Sequence, residues 1–86
     1  MPVAKSNRQL EMFNELRSVR TAQSLSRQQL ADLVDVNVQT IGALERGHYS
    51  PSLYLALLIA KALDVDVGDV FWLADESANA PAAREA

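Results

Sequence analysis

The sequence predicts an all-α fold of five short helices, with the second and third joined by a tight turn. Apolar residues recur at three- and four-residue spacing, and no segment alternates convincingly as a strand would. Helix-capping residues (Ser6, Ser26, Asn37, Ser52 and Asp66) stand at intervals of a helix length. Gly47 and Pro51 break the chain between the third and fourth segments.

Residues 1–6 read as a flexible arm, 7–73 as the folded domain, and 74–86, which lack bulky apolar groups, as a disordered tail. Ser6 with Gln9 has the spacing of a capping box, and Leu10, Phe13, Leu16 and Arg20 share one helical face, so the first helix is expected from Asn7 to Gln23. Ser26 with Gln29 repeats the box ahead of Arg27–Val34, whose inward positions are Leu30, Ala31 and Val34. Only Asp35 and Val36 separate that helix from Asn37, the cap of a third helix, Val38–Arg46, with Ile41 and Leu44 inward and Gly47 as its stop. The fourth helix, Leu53–Leu63, is expected to bury Leu53, Ala56, Ala60 and Leu63. Asp66 caps a fifth, Val67–Leu73, with Asp69 adding negative charge to its first turn.

Eighty-six residues suffice for one modest core. The chain has no cysteine, which excludes disulfides and thiolate metal sites and suits a reducing cytoplasm, the expected location. The apolar run at 53–63 is interrupted by Lys61 and falls short of the roughly 20 residues needed for a membrane span. The formal net charge of −3 is unevenly spread. Residues 1–50 hold six Lys or Arg against five Asp or Glu, whereas 51–86 hold two against six. The acidic half can therefore face away from a polyanion, screened beyond about 10 Å at 0.1 M salt.

Two helices crossing through a short turn at a small residue, Ala31, form a unit that can dock its second helix in the major groove of DNA. An ordered set of residues extends the likeness. It runs from Leu16, Arg17 and Arg20 through Leu25-Ser26 and Gln29-Leu30-Ala31 to Val36-Asn37 with Thr40-Ile41. It continues through Leu44-Glu45-Arg46-Gly47, Pro51-Ser52-Leu53, Ile59-Ala60, Ala62-Leu63, Val65, Val67 and Asp69-Val70-Phe71. With this series, covering roughly 13–72, the chain resembles the lambda-repressor-like, Cro/repressor-type (XRE-type) helix-turn-helix regulators. The resemblance implies a five-helix DNA-binding domain, acting as a two-fold dimer on a palindromic operator. It implies Val38, Gln39, Thr40 and Ala43 at the base edges, Arg27, Asn37, Arg46, His48 and Tyr49 at the phosphates, and an intramolecular ion pair between Arg20 and Glu45. Two positions depart from the family pattern. Asp35 stands where a left-handed Gly is usual, and Gly42 interrupts the third helix, a feature read as close approach to a backbone.

The chemistry of these side chains agrees with that reading. The Gln39 amide can both accept and donate, matching adenine N6 and N7, while Val38 and Ala43 offer methyl surface to thymine and the Thr40 hydroxyl suits a base or a phosphate. Arg27 at a helix N-terminus opposes the helix dipole unless an anion sits between them. Leu55, Leu58 and Ala62 form a second apolar stripe on the fourth helix, and with Trp72 and Leu73 they are expected to make a homodimer contact. His48 is the single histidine, so neither a metal site nor a catalytic base is expected; no cofactor or small-molecule effector is implied. The competing reading is an antitoxin or anti-repressor that captures a protein partner through the tail or the Leu55/Leu58 patch. Otherwise the chain reads as a repressor that is not an enzyme.

Overall fold

A computed structural model describes residues 11–74. The elements run β1 (Met12–Asn14), α1 (Leu16–Ala22), α2 (Arg27–Val34), α3 (Val38–Glu45), α4 (Leu53–Leu63), a 3-10 turn (Val67–Asp69) and β2 (Phe71–Leu73). The core is a single cluster to which every helix contributes: Leu16 from α1, Leu30, Ala31 and Val34 from α2, Ile41 and Leu44 from α3, Ile59 and Leu63 from α4. Val70 closes it from below the last turn.

The helix boundaries follow from local chemistry. The Ser26 hydroxyl accepts from the Gln29 backbone N–H at 2.9 Å, and the Gln29 side chain accepts from the Ser26 N–H at 2.8 Å, so α2 starts with both groups satisfied. It ends at Asp35, which takes the left-handed conformation (φ 59°, ψ 49°), letting the Val36 N–H donate back to the Ala31 carbonyl at 3.0 Å. Asn37 then caps α3 by accepting from the Gln39 N–H at 2.7 Å. Ala31 is fully buried where α2 and α3 meet, since a larger side chain there would hold the two axes apart. Gly47 leaves α3 at φ +75°, a value that costs glycine little.

The structure corrects the first and fifth helices. The first starts at Leu16, nine residues later than expected; Ser6, Gln9 and Leu10 lie outside the described residues. Phe13, expected on a buried helical face, sits in β1 and is 46% exposed. The fifth helix closes only one 3-10 turn before Phe71–Leu73 extends and pairs antiparallel with β1, matching Met12 to Leu73, Phe13 to Trp72 and Asn14 to Phe71. Among the described residues the domain is therefore four α-helices with a two-stranded sheet, in place of the five helices expected. The sheet continues into Ala74, whose N–H donates to the Glu11 carbonyl at 2.7 Å; the rest of the expected tail lies outside the described residues.

On α4 the inward stripe is Ala56, Ile59, Ala60 and Leu63. Leu53, expected inside, is 73% exposed, because the core is met one turn further along the helix. Leu55, Leu58 and Ala62 pack half-buried against the core, and the open face of α4 is Leu53, Tyr54 and Leu57.

Candidate DNA interface

The turn between α2 and α3 leaves one side of α3 without a covering element among the described residues. Ile41 and Leu44 anchor the opposite side in the core. Gln39 is exposed, and Val38, Thr40 and Ala43 are half-buried, so all four side chains reach the surface. Asn37 spends its side-chain oxygen on the cap of α3, which leaves its amide N–H2 group for a ligand. His48 and Tyr49 follow in the exposed loop after α3.

Behind this surface lies a three-charge cluster. The Arg20 guanidinium donates from Nε to Glu45 Oε2 at 2.6 Å, from Nη2 to Glu45 Oε1 at 3.2 Å, and from Nη1 to the Leu25 carbonyl at 2.8 Å. Arg27 adds a bond from Nε to Glu45 Oε1 at 2.9 Å. The side chains of Arg20 and Glu45 are 8% and 2% exposed, whereas that of Arg27 is 43% exposed. Burial by itself would raise the Glu45 carboxyl pKa; the hydrogen bonds and positive charges of Arg20 and Arg27 outweigh it and hold the group below its ordinary value of 4.5. Glu45 is thus neutralised by two arginines, so the acid on α3 itself presents little negative charge to solvent. Among the described residues nothing accepts from the terminal nitrogens of the half-exposed Arg27 side chain.

The Arg46 charge lies over its own helix. A Cβ at Gly42 would lie 3.1 Å from Arg46 Nη1 and 3.8 Å from its Cζ, so the guanidinium folds back one helical turn and covers Gly42. The close approach expected at Gly42 is therefore to a side chain, not to a backbone.

Two contacts that brace α3 and α1 were invisible to periodicity. Asn14 in β1 donates from Nδ2 to the Leu44 carbonyl at 2.9 Å and accepts from the Leu16 N–H at 3.0 Å, joining the strand to the end of α3 and the start of α1. Gln23 donates to the Leu63 carbonyl at 2.6 Å, joining the ends of α1 and α4. Of the residues expected at a dimer contact, Leu55 and Leu58 line a hollow of about 310 Å³ with Val34, Val36 and Tyr54. Trp72 pairs with Phe13 across the sheet, and Leu73 is 55% exposed. Among the described residues no group of His, Asp or Glu could hold a metal ion, and no helix is long and apolar enough to cross a membrane.

A capped helix set across its predecessor by a two-residue turn, with its outer face free, defines a helix-turn-helix protein. The helix-turn-helix family model HTH_3 matches residues 16–70, and the chain belongs to that family, whose members bind DNA and regulate transcription. It is 42% identical over 66 residues to the uncharacterized HTH-type transcriptional regulator YgzD of Bacillus subtilis, covering 77% of this chain and 100% of the relative. A second uncharacterized HTH-type transcriptional regulator, from Methanocaldococcus jannaschii, is 42% identical over 65 residues, covering 76% of this chain and 98% of its own length. Among solved structures, the restriction-modification controller protein C.AhdI of Aeromonas hydrophila is similar at a TM-score of 0.60 and 39% identity, over 63% of this chain and 82% of that one. The clp gene regulator ClgR of C. glutamicum gives 0.59 and 31%, over 63% and 70%.

Proposed function

We propose that the protein is a sequence-specific repressor that binds double-stranded DNA as a homodimer and sets α3 of each copy in the major groove of a palindromic operator. The observation that carries this reading is the uncovered face of α3 bearing Gln39, Thr40 and Ala43, held from behind by the Arg20–Glu45–Arg27 cluster. Gln39 pairs with an adenine edge, Val38 and Ala43 meet thymine methyls, and Thr40 serves either a base or a phosphate. Arg27, Asn37, His48 and Tyr49 surround that face and take the phosphates, with the terminal nitrogens of Arg27 joining the α2 N-terminus at one of them.

The acidic balance of the chain does not oppose this. Glu45 is consumed internally, and Asp64, Asp66 and Asp69 belong to the segment from the end of α4 to the 3-10 turn. Non-specific affinity is expected to be modest, because it depends on the number of phosphates neutralised.

An eight-residue helix reads only a few base pairs, which is why a second copy is required. We place that copy against α4, where Leu55 and Leu58 line the open apolar hollow beside Tyr54; Ala62 on α4 and Trp72 and Leu73 in β2 complete the contact. The relatives named as transcriptional regulators support the reading.

The test is selection from a pool of random duplexes with the full chain. Enrichment of two related half-sites in inverted order, centred about 10 bp apart, is expected for a symmetric dimer. Recovery of no common sequence would overturn the proposal. Sedimentation of Tyr54→Lys, which changes a residue 74% exposed, tests the dimer face: dissociation to monomer is expected, and an unchanged dimer excludes α4.

A further inference from the structure

Gln39, Gly42, Ala43 and Arg46 stand at i, i+3, i+4 and i+7, one continuous face of α3 opposite Ile41 and Leu44. Gly42 is nonetheless buried, and the group close to it is the guanidinium of Arg46. Nη1 would lie 3.1 Å from a Cβ at position 42, closer than ordinary contact, and Nη2 and Cζ 3.7 and 3.8 Å from it, so the plane packs directly over Gly42. The positive charge is thereby carried from the end of α3, where the helix dipole would hold it, to the middle of the outward face. It is seated without being neutralised: among the described residues no oxygen accepts from it.

We propose that Arg46 is a specificity-determining residue that reads a guanine, presenting its two terminal nitrogens to O6 and N7 in the major groove from its place over Gly42. The planar fork fits that pair of acceptors, as a lysine ammonium does not. The guanidinium lies at the level of residue 42, about 4.5 Å along the axis from Gln39, on the order of one base-pair step. The guanine therefore adjoins the base met by Gln39. This inference rests on the proposed insertion of α3, and it gives Arg46 a role other than the phosphate contact that the family resemblance implies.

The experiment measures binding of the full chain to its selected duplex, to all single-base variants of one half-site, and to a duplex with 7-deazaguanine in place of the guanine. Wild type should prefer guanine at one position per half-site by about 5- to 150-fold and should lose affinity when N7 is removed. Arg46→Ala should abolish that preference and be indifferent to 7-deazaguanine, while still discriminating at the other positions. Gly42→Ala, which shifts the guanidinium by a few tenths of an ångström without removing it, should weaken the same preference with the circular dichroism of the helices retained. Equal weakening of Arg46→Ala on every duplex, with a shallower salt dependence, marks a phosphate contact and overturns the inference while leaving the proposed function intact. Failure of the wild type to enrich any sequence overturns both.

Discussion

Arg20 and Glu45 make a two-point contact between α1 and α3, at 2.6 and 3.2 Å, with both side chains almost wholly buried. The pair therefore sets where the exposed face of α3 stands relative to the rest of the domain. A buried pair adds little net stability over an apolar one of the same shape, yet losing one partner strands a charge that water cannot reach. Glu45→Ala, which strands the buried Arg20, should cost about 3–5 kcal/mol, a large share of the stability of a domain this small, and Arg20→Ala should cost less, because Arg27 still pairs with Glu45. Urea unfolding followed by circular dichroism checks it; a midpoint like that of wild type would refute the burial.

The same carboxylate gives the domain a pH dependence of known sign. Its pKa is lower folded than unfolded, so its contribution is complete above the ordinary value of 4.5. That contribution is lost as pH falls from there through the lowered folded value, because the unfolded chain takes up the proton first. Thermal unfolding between pH 7 and pH 3 should show wild type losing stability in acid more steeply than Glu45→Gln, which has no proton to gain. Parallel curves would remove Glu45 as the group responsible.

Gly42→Ala separates stability from recognition. Glycine inside a helix costs up to about 1 kcal/mol relative to alanine. The three atoms nearest a new Cβ belong to the far end of the flexible Arg46 side chain. The variant should melt several degrees higher, read by calorimetry. A lower melting temperature would mean that Arg46 cannot yield.

Arg27 holds Glu45 through Nε alone, and among the described residues its terminal nitrogens have no acceptor. If these take a phosphate, Arg27→Ala should make the slope of log K against log salt shallower by about 1 per subunit. Because Arg20 still neutralises Glu45, the fold should survive the change. An unchanged slope places Arg27 outside the footprint.

The sequence revealed most clearly those features that local chemistry determines. Ser26 with Gln29, Asn37 and Ser52 marked three helix starts, and Leu30, Ala31, Val34, Ile41 and Leu44 marked the inward faces of α2 and α3. What stayed hidden depends on partners far along the chain. Phe71–Leu73 is helical by local spacing, and only pairing with Met12–Asn14, nearly sixty residues earlier, makes it a strand. Phe13 was misplaced for the same reason. The bond from Asn14 to the Leu44 carbonyl, thirty residues away, joins elements whose proximity no window of sequence displays. The direction of a long side chain was not legible: Arg46 could be placed at the end of α3 but not over Gly42. On α4, an unbroken apolar run left the choice between Leu53 and Ile59 to the tertiary packing.

The central claim, that the open face of α3 enters DNA, is tested most directly by amide chemical-shift mapping as the selected duplex is added to the full chain. The largest changes are expected at Val38, Gln39, Thr40 and Ala43, with Arg27 at the edge of the perturbed surface. Changes confined to α4 and the β1–β2 sheet, with α3 unmoved, would contradict the account.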